Sequence, residues 1–143
     1  GVELFSTAQA LEQLSSGIDD PFARATCLVQ ASQPAAAEAV LRAAIQAKDT
    51  SEPQRAKARR RLLGSVRERA LAAAAKDCAA GLAILDEVLP LLGPVAIAGA
   101  PASDRALRLD WHLARLDCCK ASGDLRRFES EQQDLYDFME GKR

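Results

Sequence analysis

From Ala102 to Met139 the chain reads ASDRALRLDWHLARLDCCKASGDLRRFESEQQDLYDFM, and no other stretch constrains the fold as strongly. Two helices joined by a tight Ser122-Gly123-Asp124 turn account for it. Advancing about 100° per residue from Leu107, the side chains of Leu107, Trp111, Ala114, Cys118 and Ala121 fall on one face. Leu109, Leu113 and Leu116 fall nearly opposite, so this helix asks for cover on two sides. In the helix after the turn, Leu125, Phe128, Leu135 and Met139 form a single stripe, and Arg126, Arg127, Glu129, Glu131, Gln133, Asp134 and Asp137 take the rest. A helix covered on two sides followed by one covered on a single side predicts the end of a stack of helical hairpins, with the last helix as its polar cap.

The rest of the chain fits an all-α fold. Its 143 residues suit one domain, 1–143, and the apolar 48% is dominated by Ala and Leu with only 4% aromatics, a composition for closely packed helices. Helices are predicted over Ser6 to Ser16, Pro21 to about Ala31, Pro34 to Lys48, Gln54 to Lys76 and onward from Asp77, giving six or seven in all. Phe22, Ala25, Val29 and Cys27 supply the packing of the second. Ala37, Val40, Leu41, Ala44 and Ile45 form the seam of the third, whose alanine-rich face permits close backbone approach. Gly64-Ser65 divides the long helix if Ser65-x-x-Glu68 caps a new one, and otherwise leaves one bent helix, the reading preferred here. Val95 to Pro101 is a loop of small apolar residues, draped across helices or lining a groove.

A period is hidden in this order. CLVQASQPAAAEAVLRAAI from Cys27 aligns with LAAAAKDCAAGLAILDEVL from Leu71 at an offset of 44 residues, and the outline recurs from Cys118 after 47 more. Trp111, Leu113, Ala114, Leu116, Gly123-Asp124 and Phe128 together resemble a tetratricopeptide hairpin. The resemblance implies helix pairs stacked in a right-handed arrangement that binds peptides or partner proteins.

Reactive constellations are scarce. His112 is the only histidine, and at about 140° from Leu107 it is predicted off both dry faces. Cys27, Cys78, Cys118 and Cys119 form no CxxC pair and sit in helical apolar patterns, as reduced core residues of a cytoplasmic protein would. No phosphate loop, nucleophile elbow or HExxH motif occurs, so no catalytic residue, metal or cofactor is expected. The apolar run from Gly81 to Gly99 is broken by Asp86, Glu87, Pro90, Gly93 and Pro94, which excludes a membrane span, and no signal segment is visible. A net charge of -1 exerts no global pull on nucleic acid or anionic membrane.

The strongest local signal is basic. Lys57, Arg60, Arg61 and Arg67 cover an outer arc of the long helix, with Arg55, Arg59 and Arg69 nearby and only Glu52 and Glu68 against them. The arc is a solvated face, a surface for an acidic protein, or a phosphate-binding strip. A non-enzymatic interaction module follows: an adaptor, chaperone or regulatory subunit that binds a partner protein or peptide through Lys57, Arg60, Arg61 and Arg67 and through a groove touching Val95 and Ile97. The alternative is a nucleic-acid-binding helical protein that uses the Arg55 to Arg69 helix.

Overall fold

A computed structural model of the chain describes residues 20–93 and 102–141. They form six α-helices and no strand: α1 (Pro21–Gln30), α2 (Pro34–Gln46), α3 (Glu52–Ala74), α4 (Cys78–Val88), α5 (Ala102–Ser122) and α6 (Leu125–Met139), with a 3-10 turn at Leu89–Leu91. The all-α expectation is met, and consecutive helices pack on each other as α1 with α2, α4 with α5, and α5 with α6. The helix expected over Ser6 to Ser16 and the loop from Val95 to Pro101 lie outside the described residues. The chain divides into two compact units, and the division falls between Leu62 and Leu63, inside the continuous helix α3.

In the first unit, residues 20–62, the helix ends follow the sequence signals. Asp20 accepts a hydrogen bond from the Phe22 amide at 3.0 Å, and Pro21 occupies a position where no amide hydrogen is needed. Ser32 turns the chain with φ of 61°, and the Gln33 amide closes on the Leu28 carbonyl at 2.8 Å. Helices α1 and α2 then bury Phe22, Ala25, Leu28, Ala37, Leu41, Ala44 and Ile45. Val29, expected inside, is exposed, and Leu28 takes the inward place one residue earlier, about 100° round the helix.

In the second unit, residues 63–141, the helix α3 runs unbroken through Gly64-Ser65, as the bent-helix reading preferred. Asp77 caps α4 by accepting from the Ala79 amide at 3.1 Å, and Pro90 ends that helix in the 3-10 turn. Gly81 lets α4 cross α3 closely, since a Cβ there would sit 2.6 Å from the Ala74 Cβ and 2.7 Å from the Ala70 carbonyl oxygen. The hairpin of α5 and α6 turns at Gly123, φ 74°, and Asp124 caps α6 by accepting from the Arg127 amide at 3.1 Å. Leu107, Trp111, Ala114 and Cys118 are buried as expected, and the Trp111 Nε1-H donates to the Leu85 carbonyl at 2.8 Å.

Four expectations for this hairpin are corrected. Ala121 is exposed, and the opposite face of α5 is only partly covered, with Leu113 on the surface. His112 is buried, because its ring lies between those of Trp111 and Phe138, 5.0 Å from each. In α6 the buried residues are Glu131, Leu135 and Phe138, while Leu125 and Met139 are exposed. The inward stripe is therefore rotated from the one the apolar spacing defined, and it carries Glu131, bonded to Arg115, beside Leu135 and Phe138. The side of α6 opposite its buried residues is polar, with Arg126, Glu129, Ser130 and Gln133 exposed, as a capping helix requires, and Leu125, Tyr136 and Met139 form an exposed apolar flank beside it.

Candidate functional site: an alanine-lined groove

The first unit carries an open groove of about 860 Å³. Phe22 and Leu28 of α1 form one wall, and Ala36, Ala39, Val40 and Ala43 of α2 form the other. The cause is local in sequence. Alanines recur at 36, 39, 43 and 47, every three or four residues, so one side of α2 carries methyl groups where longer side chains would fill the space. Its other side, Ala37, Leu41, Ala44 and Ile45, is spent on the core. Polar groups stand only at the groove's margins, where Arg24, Asp49, Thr50 and Gln54 line it. An apolar trough with a few charged groups at its edge suits an apolar side-chain row that carries one or two charges.

The basic residues proposed from sequence are largely engaged within the chain. In the first unit, Arg55 donates through Nε to the Ile45 carbonyl and through Nη2 to the Ala47 carbonyl, both at 2.8 Å, closing the C-terminal end of α2, and it also pairs with Glu52. Lys57 lies over the Phe22 ring with Nζ 4.5 Å from its centre. Arg61 donates to the Phe22 carbonyl at 3.2 Å and to the Thr26 hydroxyl at 2.6 Å. In the second unit, Arg67 pairs with Asp117 at 2.7 Å and Arg69 with Glu87 at 3.4 Å. Of Lys57, Arg60, Arg61 and Arg67, only Arg60 is exposed without a side-chain bond or ring contact among the described residues. Val95 and Ile97 lie outside the described residues.

Candidate chemistry in the second unit is turned to structure. Arg115 donates through Nε and Nη2 to the two oxygens of Glu131, each at 2.7 Å, and through Nη1 to Asp86 at 2.6 Å, with its guanidinium 4.8 Å from the Trp111 ring centre. Burial works against the Arg115 charge, but Glu131 and then Asp86 outweigh it and raise its pKa. Burial, then the nearby Arg108 charge, lowers the pKa of His112, whose Nδ1 has no hydrogen-bond partner. The Cys78 and Cys119 sulfurs lie 3.4 Å apart as free thiols. Burial pushes Cys118 up to about 11 and Cys119 up to about 12, so at neutral pH both are protonated and poor nucleophiles. Among the described residues no three His, Cys, Asp or Glu side chains gather where a metal ion would be held, and no helix is long and apolar enough to cross a membrane. No protein-family model matches the chain, and neither a curated protein nor a solved structure does.

Proposed function

We propose that this chain is a protein-interaction module whose alanine-lined groove receives one amphipathic helical segment of a partner protein, in the manner of a tetratricopeptide-like stack of helical hairpins. The observation that carries the reading is the groove itself, about 860 Å³ of open, mostly apolar space between Phe22, Leu28 and the alanines of α2. A helix lays an i, i+3, i+4, i+7 row into such a trough, and alanines on the receiving side let the two backbones come near. Arg24 is exposed at the groove with no ion-pair partner among the described residues, so an acidic residue on the incoming helix is its complement. An adaptor, chaperone or regulatory role needs no more than this. Four buried cysteines outside any disulfide suit a reducing compartment such as the cytoplasm.

The test fills the groove. The immobilised chain is incubated in a native lysate as wild type, as Ala39→Arg, as Ala43→Arg, and as Ala35→Arg, an exposed alanine of α2 outside the groove. Proteins retained by wild type and Ala35→Arg but lost from the two groove variants, with unfolding midpoints unchanged, support the reading. Equal retention by all four, or retention abolished by nuclease treatment, contradicts it.

A further inference from the structure

An exposed apolar flank of α6 continues across one side of the hairpin onto α5, and it is not part of the core. Leu125 is 75% exposed, Met139 58%, Tyr136 48% and Leu113 43%, and Leu109 and Leu116 are half-buried. The ring contact of His112 with Phe138 and the ion pair of Arg115 with Glu131 fix which sides of the two helices meet. At about 100° per residue, Leu109, Leu113, Leu116 and Lys120 then form one column of α5. Met139, Tyr136, Gln132 and Leu125 form the neighbouring column of α6, on the same side of the hairpin.

We infer that this face pairs with the same face of a second copy of the chain, related by a two-fold axis parallel to the helices. Two features single out a copy of itself as the occupant. The first is charge: Lys120 ends the α5 column, Glu129 flanks the α6 column at nearly the same height, and among the described residues neither has an ion-pair partner. The two-fold lays α5 over the partner's α6 with heights preserved, so each Lys120 meets the partner's Glu129, twice per dimer. Asp117, the other acid near Lys120, is already neutralised by Arg67 at 2.7 Å. The second is size: α6 has 15 residues, so two adjacent helices present about 22 Å by about 20 Å. That is about 440 Å² per copy, the size of a weak interface, and a hairpin of equal length matches it side for side. Leu113 meets Tyr136 and Leu109 meets Met139 across the pair, so the flank is dry in both copies.

Sedimentation equilibrium on the full chain from about 1 µM to about 500 µM tests it. Wild type is expected to dimerise within that range. Lys120→Glu and Glu129→Lys each set like charges opposite one another and are expected to weaken dimerisation about tenfold or more. The double variant Lys120→Glu, Glu129→Lys restores opposite charges and is expected to recover the wild-type constant, with circular dichroism confirming the fold of each. A monomer throughout the range, or a dimer indifferent to the single swaps or unrestored by the double one, overturns the inference.

Discussion

Arg115 grips Glu131 through two parallel 2.7 Å hydrogen bonds between α5 and α6, with the arginine side chain 14% exposed and the glutamate 9%. Two charges this far from water need partners: removing Arg115 leaves Glu131 buried and unpaired, and removing Glu131 leaves the buried guanidinium only its 2.6 Å bond to the exposed Asp86 carboxylate. Glu131→Ala and Arg115→Ala are each expected to cost about 3–5 kcal/mol in urea unfolding. Arg115→Lys should recover little of this, because an ammonium cannot span both carboxylate oxygens.

His112 gives the fold a pH dependence of defined sign. Its folded pKa lies below the ordinary 6.5 because burial, then Arg108, disfavours the charged ring more than Glu131 and Asp134 favour it. The unfolded chain therefore binds the proton more tightly, and the stability due to the neutral ring is complete above about pH 6.5 and lost as pH falls toward the lowered folded value. Thermal unfolding should show the midpoint falling between about pH 7 and pH 5, and His112→Phe should flatten that part of the profile. A wild-type midpoint constant over the window would show that the ring is not held neutral.

Two glycines in the second unit should respond oppositely to the same change. A methyl at Gly81 would lie 2.6 Å from the Ala74 Cβ and 2.7 Å from the Ala70 carbonyl oxygen, the first a methyl fixed to its backbone and the second backbone itself, so no side-chain rotation relieves either contact. Gly81→Ala is expected to destabilise by about 1–3 kcal/mol. Gly64 is exposed inside α3 with nothing within 4 Å of the added methyl, so Gly64→Ala is expected to stabilise by about 0.5–1 kcal/mol. Chemical unfolding of both variants reads the contrast.

The basic residues of α3 should separate by role. Arg55→Ala strips two carbonyls at the end of α2 of their partner and is expected to cost about 1–3 kcal/mol, whereas Arg60→Ala should fall within about 0.5 kcal/mol of wild type. Unfolding midpoints of the two variants check this directly.

How far the sequence reveals this protein depends on which force places each residue. The turn at Gly123, the caps at Asp20, Asp77 and Asp124, and the inward row of Leu107, Trp111, Ala114 and Cys118 are legible because backbone geometry and apolar period act within a few residues. Glu131 is not, because its inward position depends on Arg115, sixteen residues away and on another helix. With Glu131 inward, Leu135 and Phe138 share the buried side, and Leu125 and Met139 stand exposed on a flank of α6. His112 misled for the same reason, its cover coming from Phe138. The groove was half legible: the alanine face of α2 signals close approach, but only the packing of α1 leaves that face open. The basic arc looked available because a sequence does not show that Arg55 and Arg61 bond to carbonyls of other helices.

The most direct measurement is an amide chemical-shift titration of the isotope-labelled chain with a protein retained in the groove-dependent capture. The expected result is perturbation concentrated at Phe22, Leu28, Val40 and Ala43, with Arg60 unmoved and Ala43→Arg abolishing the response. Perturbation centred on Arg60 with the amides of α2 unchanged would contradict the groove as the place where this chain meets its partner.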